Sequence, residues 1–320
     1  MPDYLPVRES PLSGESLTGY LRRHTVAMGY DSLRQLLSLL DQIQFPPHLD
    51  HLHTGRALTA LANLLRRDER ALIDLTVHRW ATQIVFRERV AADPVNCDSK
   101  TLRRFFNASR PRVCPKCLEQ SPSHDRIIWS FRPLGICREH GDVLLEWCPG
   151  CRRSFSRARL DLLRCHCGFV LTEEPPRSVH GRALEMARLI ATWLESSKFA
   201  TVELPTSAGF WWLDRLRFAV VRVPKWCSQV RKEWGVSDAL PQDSFCWLAA
   251  AWIIQASPDD LTSFLAAYRI VDRHRLTPSR AGRYFGLLLR DANQLERFGY
   301  PVASNTCASI AASYRSHAIT

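Results

Sequence analysis

Cys114-Pro115-Lys116-Cys117, Cys137-Arg138-Glu139-His140, Cys148-Pro149-Gly150-Cys151 and Cys165-His166-Cys167 fall within 54 residues of a 320-residue chain. Seven of the 11 cysteines sit in this window, where a uniform scatter would place about two. Four half-sites of two ligands each supply two four-coordinate ions, and thiolates with one imidazole suit tetrahedral structural zinc. In the C-P-x-C form two thiolates grip one ion from a tight turn. The proline stiffens that turn, and backbone N–H groups can point at the sulfurs. Taken in sequence order, Cys114, Cys117, Cys137 and His140 make one site, and Cys148, Cys151, Cys165 and Cys167 the other. An interleaved, cross-braced pairing satisfies the same spacing. The expected cofactor is two structural Zn2+ ions. His166 lies between two ligands and is expected to point away. Trp129 and Trp147 are expected to pack over the first and second sites. Cys97, Cys227, Cys246 and Cys307 have no partner at ligand spacing and read as packing residues.

Outward from this window the chain reads as mainly α. Residues 1–109 form an N-terminal helical, helix-turn-helix-like domain. Leu17, Tyr20, Leu21 and His24 recur at helical spacing, Gly29 breaks the run, and Asp31 can cap a second helix carrying Leu33, Leu36, Leu37 and Leu40. A helix–turn–helix of this kind either reads DNA or simply packs. A third helix starts after Thr54, a Phe45-Pro46-Pro47 loop precedes it, and a fourth follows Asp68-Glu69, whose acids favour a first turn. Residues 110–170 form the double zinc module, too poor in periodic runs to fold without metal. Residues 171–320 form a C-terminal helical bundle after the Glu173-Glu174-Pro175-Pro176 connector. In it, Asp243 can cap a helix through Trp252, and Ser257-Pro258-Asp259-Asp260 and Thr277-Pro278-Ser279 are helix starts. The last helices could again be helix-turn-helix-like, with Arg280 and Arg283 near the start of a recognition helix; the more common arrangement is a plain bundle with solvated arginines.

The formal charge is +11. Three thiolates and a histidine around a dication net −1, and four thiolates net −2, so filling both sites lowers it to +8. Of the 43 basic residues 38 are arginine, whose planar fork suits phosphates and base edges. Arg110, Arg112, Arg152 and Arg153 in the metal segment, with Arg280 and Arg283, are the candidate nucleic-acid contacts. No stretch approaches a membrane span, and the first residues lack a basic leader before an apolar run. A reducing compartment follows, where cysteine pairs mean metal. Both sites close with four protein ligands, whereas a catalytic zinc keeps a position for water. H-E-x-x-H, Walker A, G-x-G-x-x-G, G-x-S-x-G and the zinc-deaminase motifs are all missing. Asp214, Glu233 and Asp243 have no spacing that separates them from surface charge. The chain is therefore read as a non-enzyme.

Three stretches carry a family likeness. Glu15-Ser16-Leu17-Thr18-Gly19-Tyr20-Leu21-Arg22-Arg23, with Met28-Gly29-Tyr30, resembles the opening E-S-L-x-[SG]-x-x-x-R…N-G element of the TniQ/TnsD transposon proteins, with Met28 where that family often has asparagine. Leu72 to Trp80, with Leu75-Thr76, is similar to its "L..LT" helix. Arg112 to Leu118, Trp129, Cys137-x-x-His140, Leu144, Cys148-x-x-Cys151, Leu163 and Cys165-x-Cys167-Gly168 follow the order of its zinc region. The likeness covers roughly residues 1–170. It implies a target-selection adaptor that recruits an AAA+ ATPase regulator, which in turn brings in a transposase. It also implies either direct reading of target DNA or docking, often as a homodimer, on an RNA-guided Cascade complex. It places the protein in the bacterial cytoplasm, at the nucleoid when active. From a different class, a stand-alone zinc-containing transcription regulator would show the same cysteines and arginines.

Overall fold

Ser16 opens the first helix of the computed structural model. Its hydroxyl accepts the Gly19 N–H at 3.0 Å, satisfying one of the donors that a helix start leaves unpaired. The structure describes residues 5–6, 9–40, 43–84, 99–107, 110–156, 159–196, 198–199 and 204–255. The chain divides into two compact units, residues 1–81 with 92–178, and residues 82–91 with 179–320. Helical start and metal segment thus share a unit, which runs on to Ser178.

In the first unit α1 (Leu17–Ala27) turns at Gly29 into α2 (Leu33–Ser38). Then come α3 (Arg56–Leu65), α4 (Glu69–Ile73), α5 (Ala81–Ile84) at the unit boundary, α6 (Ser99–Phe105) and α7 (Pro115–Leu118). Leu17, Tyr20, Leu21, Leu36, Leu58, Leu61 and Leu72 meet in one core. Truncating any one of these leucines to alanine costs about 2–5 kcal/mol.

The run Glu15–Arg23 is a set of structural bonds. Glu15 is buried beneath Arg23, whose Nε and Nη2 donate to its carboxylate at 2.7 and 2.8 Å. Thr18 donates from both N–H and hydroxyl to the buried Asp50, each at 2.8 Å. Gly19 lets the Asp125 backbone close in: a Cβ there would lie 3.2 Å from Asp125 Cβ. Ser16 N–H donates to Asp125 O at 2.9 Å, Ile127 N–H to Gly14 O at 2.9 Å, and Arg22 pairs with the Asp125 carboxylate. The motif therefore stitches α1 to residues 125–127, between the two halves of the first metal site.

Two local expectations change here. α2 is capped by Ser32, not Asp31: its hydroxyl accepts the Gln35 N–H, while Gln35 Oε1 returns to the Asp31 N–H at 2.7 Å. Leu72 to Trp80 is not one helix. α4 ends at Ile73, Thr76 caps a 3-10 turn over Val77–Trp80, and Leu75 O accepts the Leu17 N–H at 2.8 Å. A β-branched residue whose hydroxyl bonds its own backbone breaks the run.

The second unit holds α8 (Arg182–Glu195), a two-residue hairpin of β1 (Lys198–Phe199) and β2 (Leu204–Pro205), α9 (Thr206–Val221), α10 (Pro224–Glu233) and α11 (Gln242–Gln255). α11 is buried on nearly every side, as its apolar run from Phe245 to Ile253 requires, and it packs on α8, α9 and α10. Asp243 lies inside its first turn rather than at the cap, paired with Arg217 at 2.8 Å. The helix starts at 257–260 and 277–279 lie outside the described residues. The fold is mainly α, as expected. Among the described residues no helix is long and apolar enough to cross a membrane.

Candidate metal centres

The first site is assembled by three backbone devices. Val113 pairs with Leu145 in a short bridge that delivers Cys114 to the start of α7, where Pro115 holds the first helical position. α7 then presents Cys117 one turn on. Opposite, Ile136 pairs with Val143, and the chain reverses between them: Cys137 N–H donates to Asp142 O and Gly141 N–H to Cys137 O, both at 2.8 Å. The ligand atoms converge. Cys117 Sγ lies 3.6 Å from Cys137 Sγ, and His140 Nδ1 lies 3.5, 3.2 and 3.7 Å from the sulfurs of Cys114, Cys117 and Cys137. A zinc tetrahedron has edges of about 3.8 Å between sulfurs and about 3.6 Å between sulfur and nitrogen. All three cysteines are buried, and Trp129 packs in the same core.

The second site repeats the plan with less cover. Trp147 pairs with Ser154 and Arg164 with Val170. Cys148 N–H donates to Arg153 O at 2.9 Å and Arg152 N–H to Cys148 O at 2.8 Å, with Arg152 at φ 59°, left-handed, to close the turn. Gly150 is required by Phe169, whose ring would stand 3.0 Å from a Cβ. The Cys148–Cys167 and Cys151–Cys165 sulfur separations are 3.6 and 3.8 Å. Cys167 is exposed and Cys151 half-buried. Each set of four ligand atoms lies within 4.8 Å, so the pairing is sequential, and each cluster could hold one metal ion.

Backbone amides do aim at the sulfurs. The Phe169 N–H holds the Cys167 thiol down to about 7. Burial pushes Cys148 up to about 12 against the amides of Cys151 and Gly150. A dication reverses that burial effect, because the thiolate is the metal ligand.

Several expectations move. His166 does not turn away: its Nδ1 lies 3.3 Å from Cys165 Sγ, an outer contact to a ligand sulfur. Trp147 does not cover the second site. It is 44% exposed, with the Arg110 guanidinium 5.1 Å from its ring centre. Arg112 is corrected as a nucleic-acid contact. It is 3% exposed, and its guanidinium donates to the carbonyls of Trp129, at 2.9 Å, and Phe131. Arg110, Arg152 and Arg153 are exposed beside the second site, whereas Arg280 and Arg283 lie outside the described residues. Asp214 and Asp243 converge on Arg217, at 3.4 and 2.8 Å, and Glu233 accepts from Gln229, so these acids do not gather as a metal site. Cys227 and Cys246, expected to be isolated, lie 3.9 Å apart. Their 19-residue separation falls outside any short ligand motif, so only the packing of α10 on α11 shows the pair.

Residues 6–144 match the family model described as TniQ. No curated protein matches the chain. The matched segment takes in the Glu15–Arg23 stitching, α1 to α4 and all four ligands of the first metal cluster. It ends before Cys148, short of the span read from the sequence. Over this segment, less than half of its length, the chain is similar to the TniQ family.

Proposed function

We propose that the protein is a non-catalytic adaptor that couples a target-recognition element to an AAA+ transposition regulator and its transposase. The observation that carries this is the TniQ match over residues 6–144, which takes in all four ligands of the first metal cluster. The recognition element is either target DNA or an RNA-guided Cascade complex, which the chain meets as a homodimer. Two Zn2+ ions, one on Cys114, Cys117, Cys137 and His140 and one on Cys148, Cys151, Cys165 and Cys167, act mechanically. They hold turns whose own core is too small, and with four protein ligands each they leave no position for a reacting water. Exposed Arg110, Arg152 and Arg153 around Trp147 support a phosphate-facing surface at the second site, to which Arg280 and Arg283 would add.

The test is zinc-quantified protein titrated with duplex DNA across a salt series, alone and then with the ATPase and Cascade. Selective binding that strengthens with the ATPase identifies a direct target reader. Binding that becomes site-specific only with Cascade identifies an RNA-guided bridge. Selective binding indifferent to both would favour the transcription regulator and defeat the adaptor reading. In the first two cases Arg110→Ala, Arg152→Ala and Arg153→Ala together should flatten the salt slope by about 2 to 3, near one per lost phosphate contact. An unchanged slope removes this surface from the interface.

A further inference from the structure

Cys227, in the first turns of α10, and Cys246, in those of α11, bring their sulfurs to 3.9 Å inside the second unit. Both are buried, at 1% and 0% exposure. A pair of packing thiols would need nothing more, yet this pair has a polar attendant. Gln242, the first residue of α11, donates from Nε2 to Cys227 Sγ at 3.1 Å and lies 3.7 Å from Cys246 Sγ. Its Oε1 accepts from Arg231 Nη1 at 2.9 Å, so a cation polarises the amide that faces the sulfurs. Arg231 is fixed in turn by the carbonyls of Ser237, at 2.7 Å, and Leu240. Gln242 itself is exposed, so the group that bonds the thiols also reaches solvent.

We propose that Cys227 and Cys246 are a redox-active dithiol that closes reversibly to a disulfide joining α10 to α11, with a small-molecule disulfide as the oxidant. The Cys227 thiolate attacks one sulfur of the oxidant, forms a mixed disulfide and releases the first small thiolate, which takes up the proton of Cys246. Cys246 then attacks Cys227 Sγ, forming the Sγ–Sγ bond and expelling the second thiolate, which takes from water the proton that Cys227 gave up to it on forming its thiolate. Two protein thiols lose two electrons, and the oxidant is reduced to two thiols. Closing the bond brings the sulfurs from 3.9 Å to about 2 Å. The roles follow from the surroundings. The neighbouring Cys246 thiol, then Gln242 and Arg231, hold the Cys227 thiol below its ordinary value against burial, while Cys227 and burial raise Cys246. Cys227, which takes the shorter contact from Gln242 Nε2, 3.1 Å against 3.7 Å, is the attacking sulfur and Cys246 the resolving one.

The test treats reduced, zinc-loaded full chain with oxidised glutathione, quenches with acid, and maps peptides without reduction while counting released zinc. The expected result is a peptide pair linked through Cys227 and Cys246, formed before zinc is lost. Cys246→Ser should stop at a glutathione adduct on Cys227, and Gln242→Leu should slow linkage about fivefold through the lost hydrogen bond. Recovery of both thiols unlinked in the wild type, or linkage only after zinc release, would overturn the proposal. The wild-type map decides it even if a variant fails to fold.

Discussion

The two metal clusters have the same number of ligands and nearly the same sulfur spacing, yet they are held by different amounts of protein. Around the first, Cys114, Cys117 and Cys137 are buried, α7 supplies one wall, and residues 125–127 are bonded to α1. Around the second, Cys167 is open to solvent, Trp147 faces outward, and the loop is closed by its own turns. The TniQ match includes the first and stops before the second. Equal coordination therefore does not mean equal mechanical duty. An ion inside a shared core holds the domain, while an ion near the rim holds mainly its own loop.

The largest expected effect is at the first cluster. Cys114→Ser should reduce bound metal from two ions to one and destabilise the first unit by several kcal/mol, because binding energy there is folding energy. Metal analysis with thermal melts checks this, and a variant that keeps two ions and a wild-type melt would refute the ligand assignment. Next is the stitch itself. Asp125→Ala leaves the buried Arg22 guanidinium without its paired carboxylate and should cost about 3 kcal/mol. If the first cluster were as self-contained as the second, the same change would leave the melt untouched.

Acid adds a third comparison, provided the helical half is corrected for. His78 stacks on His53 with ring centres 3.8 Å apart. Burial, then His53 and His51, hold its pKa at about 3. It stays neutral in the folded chain, whereas the unfolded chain takes up that proton below about pH 6.5. Stability is thus full above pH 6.5 and falls as pH drops toward 3, by about 2–3 kcal/mol at pH 4.5. His78→Gln should remove this slope in pH-dependent melts. What remains below pH 6 combines buried His24, whose pKa burial also lowers, with the ligands of the clusters, and metal release followed in the same melts compares the two clusters.

Much of this contrast was legible in the sequence because metal-ligand spacing is local. The eight ligands and the helices around Leu17, Leu58 and Leu72 follow from residues a few positions apart, whereas their sequential grouping, which an interleaved pairing rivalled, comes from the structure. The failures are long-range or concern direction. Arg112 sits two residues before Cys114 and reads as a surface base, but which way it faces depends on the carbonyls of Trp129 and Phe131, 17 and 19 residues away. Gly19 carries no sign in the sequence of the close approach of Asp125, 106 residues on, that the structure shows there. Trp147 reads as cover for the second site, and the Trp147–Ser154 bridge turns it outward. Cys227 and Cys246 meet only because two helices pack. Spacing along the chain identifies ligands, but it does not say how deeply they are buried.

Depth is what the smallest effect isolates. Cys167→Ser removes the most exposed ligand of the second cluster, so it should also leave one ion per chain. Its turn shares Phe155, Leu162 and Cys165 with the common core, so the loss is not free. The exposed rim, however, can open without the buried walls. The expected destabilisation is about 1–2 kcal/mol, below that of Cys114→Ser, and a chelator should strip the wild-type second site first. Chelator titration read by metal release, with Gly150→Ala as a second way to disturb only this loop, separates the sites. Equal melts for Cys114→Ser and Cys167→Ser, with both ions leaving together, would mean that the two clusters fold as one cooperative element and that exposure at Cys167 is mechanically irrelevant.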